Sequence, residues 1–262
     1  MKYTTIDFKV KDSIATITFN RPDASNSINL ELAKDFMYTT MQCSEDPTVR
    51  AVIITGTGKV FCPGGDVKSF AAQGKNLPHY LRDVTTHLHA AVSRLARIDA
   101  PLIAAVNGVA AGAGMGLVCA CDFALAAESA RFTMAYTKIG LVPDGGSSYF
   151  LTRIVGLRKA LELTLTNRQL SAHEALELGI VTRVVPDAEL ATAAEVLANQ
   201  MASGATRAYG AAKRLIYSAW TETLETQMEL ESQAIAAMAH TADAHEAITA
   251  FVEKRTPRLN GQ

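Results

Sequence analysis

The stretch from Ala104 to Asp122, AAVNGVAAGAGMGLVCACD, gathers residue types that serve a reaction through the backbone rather than through side chains. An apolar run from Pro101 to Val106 ends at Asn107-Gly108, and Gly112, Gly114 and Gly116 then open a second apolar run built of small residues. The pattern predicts a strand, a tight turn and the N-terminus of a buried helix. Glycine and alanine admit another group close to the backbone, and the first turn of a helix presents unpaired N–H groups with the positive end of the macrodipole behind them. A group that is anionic, or becomes so during reaction, is stabilised at such a place. The same glycines also suit a helix packed tightly on a sheet with no ligand at all. A dinucleotide fingerprint needs GxGxxG with an acidic residue about 20 positions on; here the spacing is GxGxG and Asp122 follows too soon. A P-loop is excluded, since Gly58-Lys59 is followed by Val60 and not by Ser or Thr.

Two further stretches carry candidate chemistry. Phe61 to Phe70 contains Gly64-Gly65-Asp66-Val67-Lys68. Asp66 has the position of an N-cap for a helix towards Phe70, and Lys68 reads equally as a solvated lysine or as a cation for a phosphate. Asp144 stands in Leu141-Val142-Pro143-Asp144-Gly145-Gly146, an ordinary turn sequence that also leaves one carboxylate free for proton transfer. His87 and His89 would point about 200° apart on a helix, which argues against a shared metal. Cys43, Cys62, Cys119 and Cys121 form no CxxC pair and predict no disulfide. No GxSxG elbow supports a serine hydrolase.

With 262 residues the chain suffices for one large domain or a domain with an appendage. Its 25 Lys and Arg against 26 Asp and Glu give a net charge of -1, so nucleic acid and anionic membranes are not expected partners and any phosphate must be met locally. The opening MKYTTIDFKV lacks the form of a signal peptide and no run of 18 apolar residues occurs; a cytoplasmic location is expected.

The elements that must position these residues follow from hydrophobic periodicity. Ile6–Val10 and Ile14–Phe19 alternate and predict a hairpin; an amphipathic helix begins at Asn29 and runs towards Met41; Ala51–Thr55 is a short β-branched strand. Gln73 to Pro78 is expected to be a mobile insertion, followed by a helix from about Tyr80 to Ile98, the strand at Leu102, the glycine turn, the buried helix to Cys121, and a strand at Phe123–Ala127. Leu157–Thr166, Ser171–Leu178 and Leu190–Ala202 read as helices, interrupted by a β-like Ile180–Val185. From Ala205 to Lys254 nearly all is helix, with Leu224, Met228, Ile235 and Met238 near the helical period. Strands alternating with helices argue for an α/β fold, and the stripe reads equally as packing against its own chain or against another.

The order of these patterns resembles the crotonase family of enoyl-CoA hydratases and isomerases. Its helix-start pattern is similar to NGxAxGGG, its earlier pattern FCAGxDxK resembles Phe61 to Lys68, and the likeness runs from the opening strands and Asn20-Arg21-Pro22 to Phe251–Pro257. The resemblance implies a crotonase-like spiral of ββα units over residues 1–203 and a C-terminal helical oligomerisation part over 204–262. It further implies a homotrimer or dimer of trimers. The substrate would be an acyl-CoA thioester, with coenzyme A entering as part of it and no tightly bound cofactor or metal.

Carried over residue by residue, the resemblance makes the N–H groups of Gly65 and Ala113 the oxyanion hole for an enolate. Fixed backbone donors need no reorganisation as charge builds, an effect of about 3–4 kcal/mol per donor. The segment Gly65, Asp66, Val67 and Lys68, with Ala113 and Tyr136, would line the thioester site. Hydratases of the family carry two glutamates where this chain has Gly116 and Tyr136, so ordinary hydration is not expected. Asp144 matches the working aspartate of some family isomerases and of the haloaromatic acyl-CoA dehalogenases; the latter carry tryptophan at the place of Tyr136. Through GVAAGAG, MAxxKIGLVPD and FxxKRxP the likeness is strongest to the ring-modifying isomerases of phenylacetate degradation. The expectation is therefore an enoyl-CoA isomerase with Asp144 as acid and base. A hydratase-like lyase, a dehalogenase and a non-catalytic acyl-CoA binder are the alternatives.

Overall fold

A computed structural model describes residues 3–262; Met1 and Lys2, the first two residues of the expected 1–203 core, lie outside it. The chain opens with the antiparallel hairpin β1 (Ile6–Lys11) and β2 (Ile14–Phe19), followed by helix α1 (Leu30–Glu45), whose N-cap Asn29 accepts from the Leu32 N–H. Three strand pairs then repeat one plan: β3 (Ala51–Gly56) with β4 (Val60–Cys62), β5 (Leu102–Val106) with β6 (Val109–Ala111), and β7 (Phe123–Ala127) with β8 (Arg131–Thr133). Helices α2 (Val67–Ala71) and α3 (Leu77–Leu95) follow the first pair, and α4 (Ala113–Ala120) the second. After the third pair come α5 (Ser147–Thr166), β9 (Leu170–Ser171), α6 (Ala172–Glu177), β10 (Arg183–Val185), α7 (Leu190–Ala202), α8 (Thr206–Ser218), α9 (Leu224–Met238) and α10 (Ala242–Val252).

Each pair divides its strands between two sheets. The first has the order β1-β2-β3-β5-β7-β10, parallel from β2 onward; the second has the order β4-β6-β8-β9, parallel except at β9. This is the spiral of ββα units. Within the larger sheet, Val52 and Ile54 face one apolar cluster with α1, α3 and α4, while Ala51 and Ile53 face a second with Leu190, Ala194, Ala198 and Ala202 of α7. Both faces are covered, as a parallel sheet requires.

Parallel pairing in the second sheet brings the ends of β4, β6 and β8 side by side. The chain therefore emerges at three adjacent points, into Pro63–Gly65, Gly112–Ala113 and Met134–Tyr136. Asn107 ties two successive units together. Its Nδ2 donates to the carbonyls of Gly56 and Gly58, both at 2.8 Å, and its Oδ1 accepts from the Gly56 N–H at 3.2 Å. A Cβ on Gly108 would stand 2.0 Å from the Lys59 carbonyl oxygen, so the β3–β4 connection can lie against this glycine only.

Several sequence expectations change. Asn107-Gly108 joins two strands instead of leading into a helix, because β6 intervenes. The expected loop Gln73–Pro78 is a 3-10 turn (Gly74–Asn76) running into α3, which starts at Leu77 and ends at Leu95; Pro78 sits in the first turn, where its missing N–H costs no bond. Helix α5 begins at Ser147, ten residues before the Leu157 expected, and Gly156 (φ 76°) breaks it. The stripe on α9 does not pack on its own chain, Leu224 being 71% and Ile235 74% exposed.

Removing the joint should be measurable. Asn107→Ala leaves the Gly56 and Gly58 carbonyls without their partner and should cost about 1–3 kcal/mol of unfolding free energy, read from the midpoint of urea denaturation.

Candidate active site

The three emerging segments and α3 enclose a cavity of about 470 Å³. Its walls are mostly apolar, with Ile28, Phe70, Leu81, Val84 and Leu88 among them, and Gly65, Ala113, Tyr136 and Asp144 also face it. A larger groove of about 890 Å³ near Cys43, Arg94 and Gln262 contains none of these groups.

The backbone donors are set by packing. Gly64 (φ 93°) and Gly112 (φ 52°) both adopt conformations that residues with a Cβ rarely reach. A Cβ on Gly64 would lie 3.0 Å from the Ala111 carbonyl oxygen, and one on Gly114 only 2.0 Å from that of Cys62. The loop after β4 thus lies directly against the first turn of α4. A Cβ on Gly65 would meet the Phe70 ring at 2.4 Å. Ile28 brackets Gly65, donating to the Gly64 carbonyl at 2.8 Å and accepting from the Asp66 N–H at 2.9 Å. Among the described residues the Gly65 and Ala113 N–H groups have no partner, and both border the cavity.

Asp144 lies beyond β8, in the turn before α5. Tyr136 donates its hydroxyl to Asp144 Oδ1 at 2.6 Å, and the fully buried Ser147 hydroxyl donates to the Asp144 carbonyl at 2.6 Å. Burial raises the Asp144 carboxyl above the usual carboxylate range; the Tyr136 hydrogen bond and a backbone hydrogen bond only partly oppose it. The Tyr136 phenol is pushed up too, by burial first and then by the Asp144 charge, so it is a hydrogen-bond donor at neutral pH.

Two participants escaped the sequence reading. His89 Nε2 accepts the Gly145 N–H at 3.0 Å, which fixes the turn on the far side of Asp144. The spacing of Leu81, Val84, Thr85 and Leu88, all on the cavity, would have marked this helix face. Ser147 is the other. A Cβ on Gly116 would stand 2.0 Å from Ser147 Oγ and 3.3 Å from its Cα, so the place expected for a hydratase glutamate is filled by the start of α5.

Of the thioester contacts expected around the first loop, Val67 borders the cavity and Asp66 and Lys68 do not. Asp66 caps α2 through the Ser69 N–H at 3.0 Å and pairs with Arg21 at 3.0 Å. Burial works against its charge, but those bonds outweigh it and hold the carboxyl below the usual range. Its N-cap reading therefore stands, with the carboxylate engaged by Ser69 and Arg21. Lys68 is exposed on α2; the cations that do border the cavity are Arg82 and Lys138.

A hole of two backbone donors at the junction of ββα units, beside a carboxylate in an apolar pocket, defines a crotonase-type enzyme site. Residues 9–262 match the enoyl-CoA hydratase/isomerase family, and the chain belongs to it. It is 39% identical over 254 residues to the 1,2-epoxyphenylacetyl-CoA isomerase of Escherichia coli K12, covering 97% of each chain. It is 37% identical to 4-chlorobenzoyl coenzyme A dehalogenase-2 of an Arthrobacter species, over 87% of this chain and 84% of that one. The crystal structure of an enoyl-CoA hydratase from Polaromonas sp. JS666 superposes with a TM-score of 0.92 at 33% identity, over 97% of this chain and 98% of that one.

The raised Asp144 carboxyl has a consequence for stability. A carboxyl whose folded pKa exceeds its unfolded value stabilises the fold fully below the unfolded pKa, and that contribution is lost as pH rises through the folded one. Asp144→Asn, which removes the buried charge and keeps an acceptor for Tyr136, should raise the melting temperature at pH 7–8, and the gain should vanish near pH 3. Calorimetry across that range checks the sign.

Proposed function

We propose that the protein is an enoyl-CoA isomerase in which Asp144 carries a proton between two carbons of the acyl chain. The observation that supports this reading is one carboxylate, with no other bordering the cavity among the described residues, beside the unpartnered Gly65 and Ala113 N–H groups. Asp144 takes a proton from C2 of a 3-enoyl thioester. The C–H electron pair passes into a dienolate whose oxygen is held by the two N–H groups, and the protonated acid returns the proton to C4, leaving the double bond at C2–C3. A raised pKa strengthens the base and leaves the acid able to return its proton.

Hydration needs a second group to orient water, and Ser147 occupies the space next to Gly116 where a longer side chain would have to begin. The coenzyme A phosphates would meet Arg82 and Lys138 at the cavity rim, with Lys68 further out. Names among the relatives support the thioester class, and the one carried by the Escherichia coli protein supports an isomerase of ring-bearing thioesters. Dehalogenation would instead use Asp144 as nucleophile, and chloride release from 4-chlorobenzoyl-CoA distinguishes it.

Asp144→Asn should lose at least about two orders of magnitude in isomerisation of 3-enoyl-CoA while thioester affinity by calorimetry stays within a few fold. Wild-type rates in the variant, or hydration of 2-enoyl-CoA by wild type as fast as isomerisation, would overturn the assignment.

The exposed apolar side chains of α9 and α10, Phe251 at 86% among them, support a homotrimer or dimer of trimers built through the residues 204–262. Light scattering at micromolar concentration should give a multiple of three chain masses. A monomer would sink this reading.

A further inference from the structure

Asp144 has two oxygens and the reaction needs one of them free and aimed. We propose, building on the isomerase reading above, that Tyr136 is the positioning residue of this site: it holds Oδ1 of Asp144 in place and so makes Oδ2 the oxygen that carries the proton. The placement is over-determined. Among the described residues Oδ2 has no hydrogen-bond partner, whereas Oδ1 receives the Tyr136 hydroxyl at 2.6 Å.

Counting hydrogens fixes the direction of that bond. Ser147 has one hydroxyl hydrogen, committed to the Asp144 carbonyl at 2.6 Å, and Tyr136 Oη lies 3.2 Å from Ser147 Oγ. The Tyr136 hydrogen therefore has three acceptors in reach, Asp144 Oδ1 at 2.6 Å, Ser147 Oγ at 3.2 Å and the Asp144 carbonyl at 3.4 Å, and the carboxylate oxygen is both the nearest and the charged one. Ser147 Oγ backs the phenol from behind and keeps it from swinging away. That serine can be there only because residue 116 is glycine. The same contact suits both halves of a proton shuttle, since Oδ1 accepts from Tyr136 whether or not Oδ2 is protonated.

The backbone also aims the ring. Ala135 lies in the left-handed region (φ 52°) and the Tyr136 N–H closes back on the Met134 carbonyl at 2.6 Å. A residue with a Cβ held there costs of order 1–3 kcal/mol, which the surrounding contacts must over-determine. The result is a phenol only 9% exposed whose edge borders the cavity.

The titratable groups facing Asp144 are Tyr136 from the segment after β8, His89 from α3 and Cys62 from β4. The Cys62 thiol is pushed up to about 12 by burial and stays neutral. The test is Tyr136→Phe, which keeps the ring and its packing and deletes the hydroxyl. Removing a donor from the ionised form raises the carboxyl pKa further. Two readouts follow: the carbon-13 carboxyl titration of Asp144, identified by its absence in Asp144→Asn, and the pH dependence of kcat/KM for 3-enoyl-CoA.

In Tyr136→Phe both the carboxyl titration and the acid limb of kcat/KM should move to higher pH. The plateau kcat should drop roughly tenfold or more as the free oxygen loses its aim, with KM within about threefold. Ser147→Ala, which leaves the Tyr136 hydroxyl, should show a smaller change in the same direction. An unmoved carboxyl titration, or a loss confined to KM, would overturn the role given to Tyr136. A wild type inert to every 3-enoyl thioester, with the carboxyl shift present, would instead overturn the isomerase reading.

Discussion

The site depends on the close approach of two backbones. The loop after β4 and the first turn of α4 lie so near that a Cβ on Gly64 would come to 3.0 Å from the Ala111 carbonyl oxygen and one on Gly114 to 2.0 Å from that of Cys62, while Gly112 is required by its positive φ of 52°. Close packing brings the N–H groups of Gly65 and Ala113 to one cavity and leaves them without partners. Because both belong to sheet-anchored segments, they would, in the proposed reaction, be in place before any charge develops. A donor on a mobile side chain would have to reorganise at the moment of reaction. The pairing of β4 with β6, and the Asn107 side chain that bonds across the units, keep the two segments in register.

The acidic half of the site follows from the third strand of the same small sheet. Beyond β8 the chain turns through Ala135, presents Tyr136 and returns as the Asp144 turn into α5. Burial alone would leave Asp144 an isolated and costly charge. The Tyr136 hydroxyl makes the ionised state accessible without removing the elevation, and His89 holds the adjoining Gly145 N–H. The apolar wall from α3 borders the same cavity as Asp144, whose burial raises the carboxyl.

Much of this was legible in the sequence, and the parts that were not have physical reasons. The hairpin, α1, β3, β5 and β7 announced themselves by period and by β-branched content. The glycine cluster signalled close approach, though it could not say to what; Cys62, about fifty residues earlier, is the answer. Strand β6 was missed because Val-Ala-Ala is too short to show a period and exists through pairing with β4 and β8 on either side. Helix α5 was begun ten residues late because Gly145, Gly146 and Gly156 read as breakers, and only the last breaks it. His89 was weighed as one half of a metal pair, whereas its partner is an amide 56 residues away. Asp66 shows the opposite case: a local rule, the N-cap, was enough to place its carboxylate.

Gly116 and Ser147 show how packing bears on chemistry in this fold. A glutamate at position 116 would start from α4 towards Ser147, and the difference between glycine and glutamate reads at first as a deletion of function. The geometry makes it an exchange. With no side chain on Gly116, the start of α5 closes onto α4 until Ser147 Oγ fills the position a Cβ would take. That serine then backs Tyr136, and Tyr136 reaches Asp144 Oδ1. Restoring a glutamate at position 116 alone would therefore not restore a hydratase site; it would first displace Ser147 and with it the support of Tyr136. The backbone hole is indifferent to this exchange, because its donors come from the loop after β4 and from the first turn of α4, ahead of residue 116. In the proposed reading, the same two N–H groups would be compatible with different arrangements of carboxylates around them.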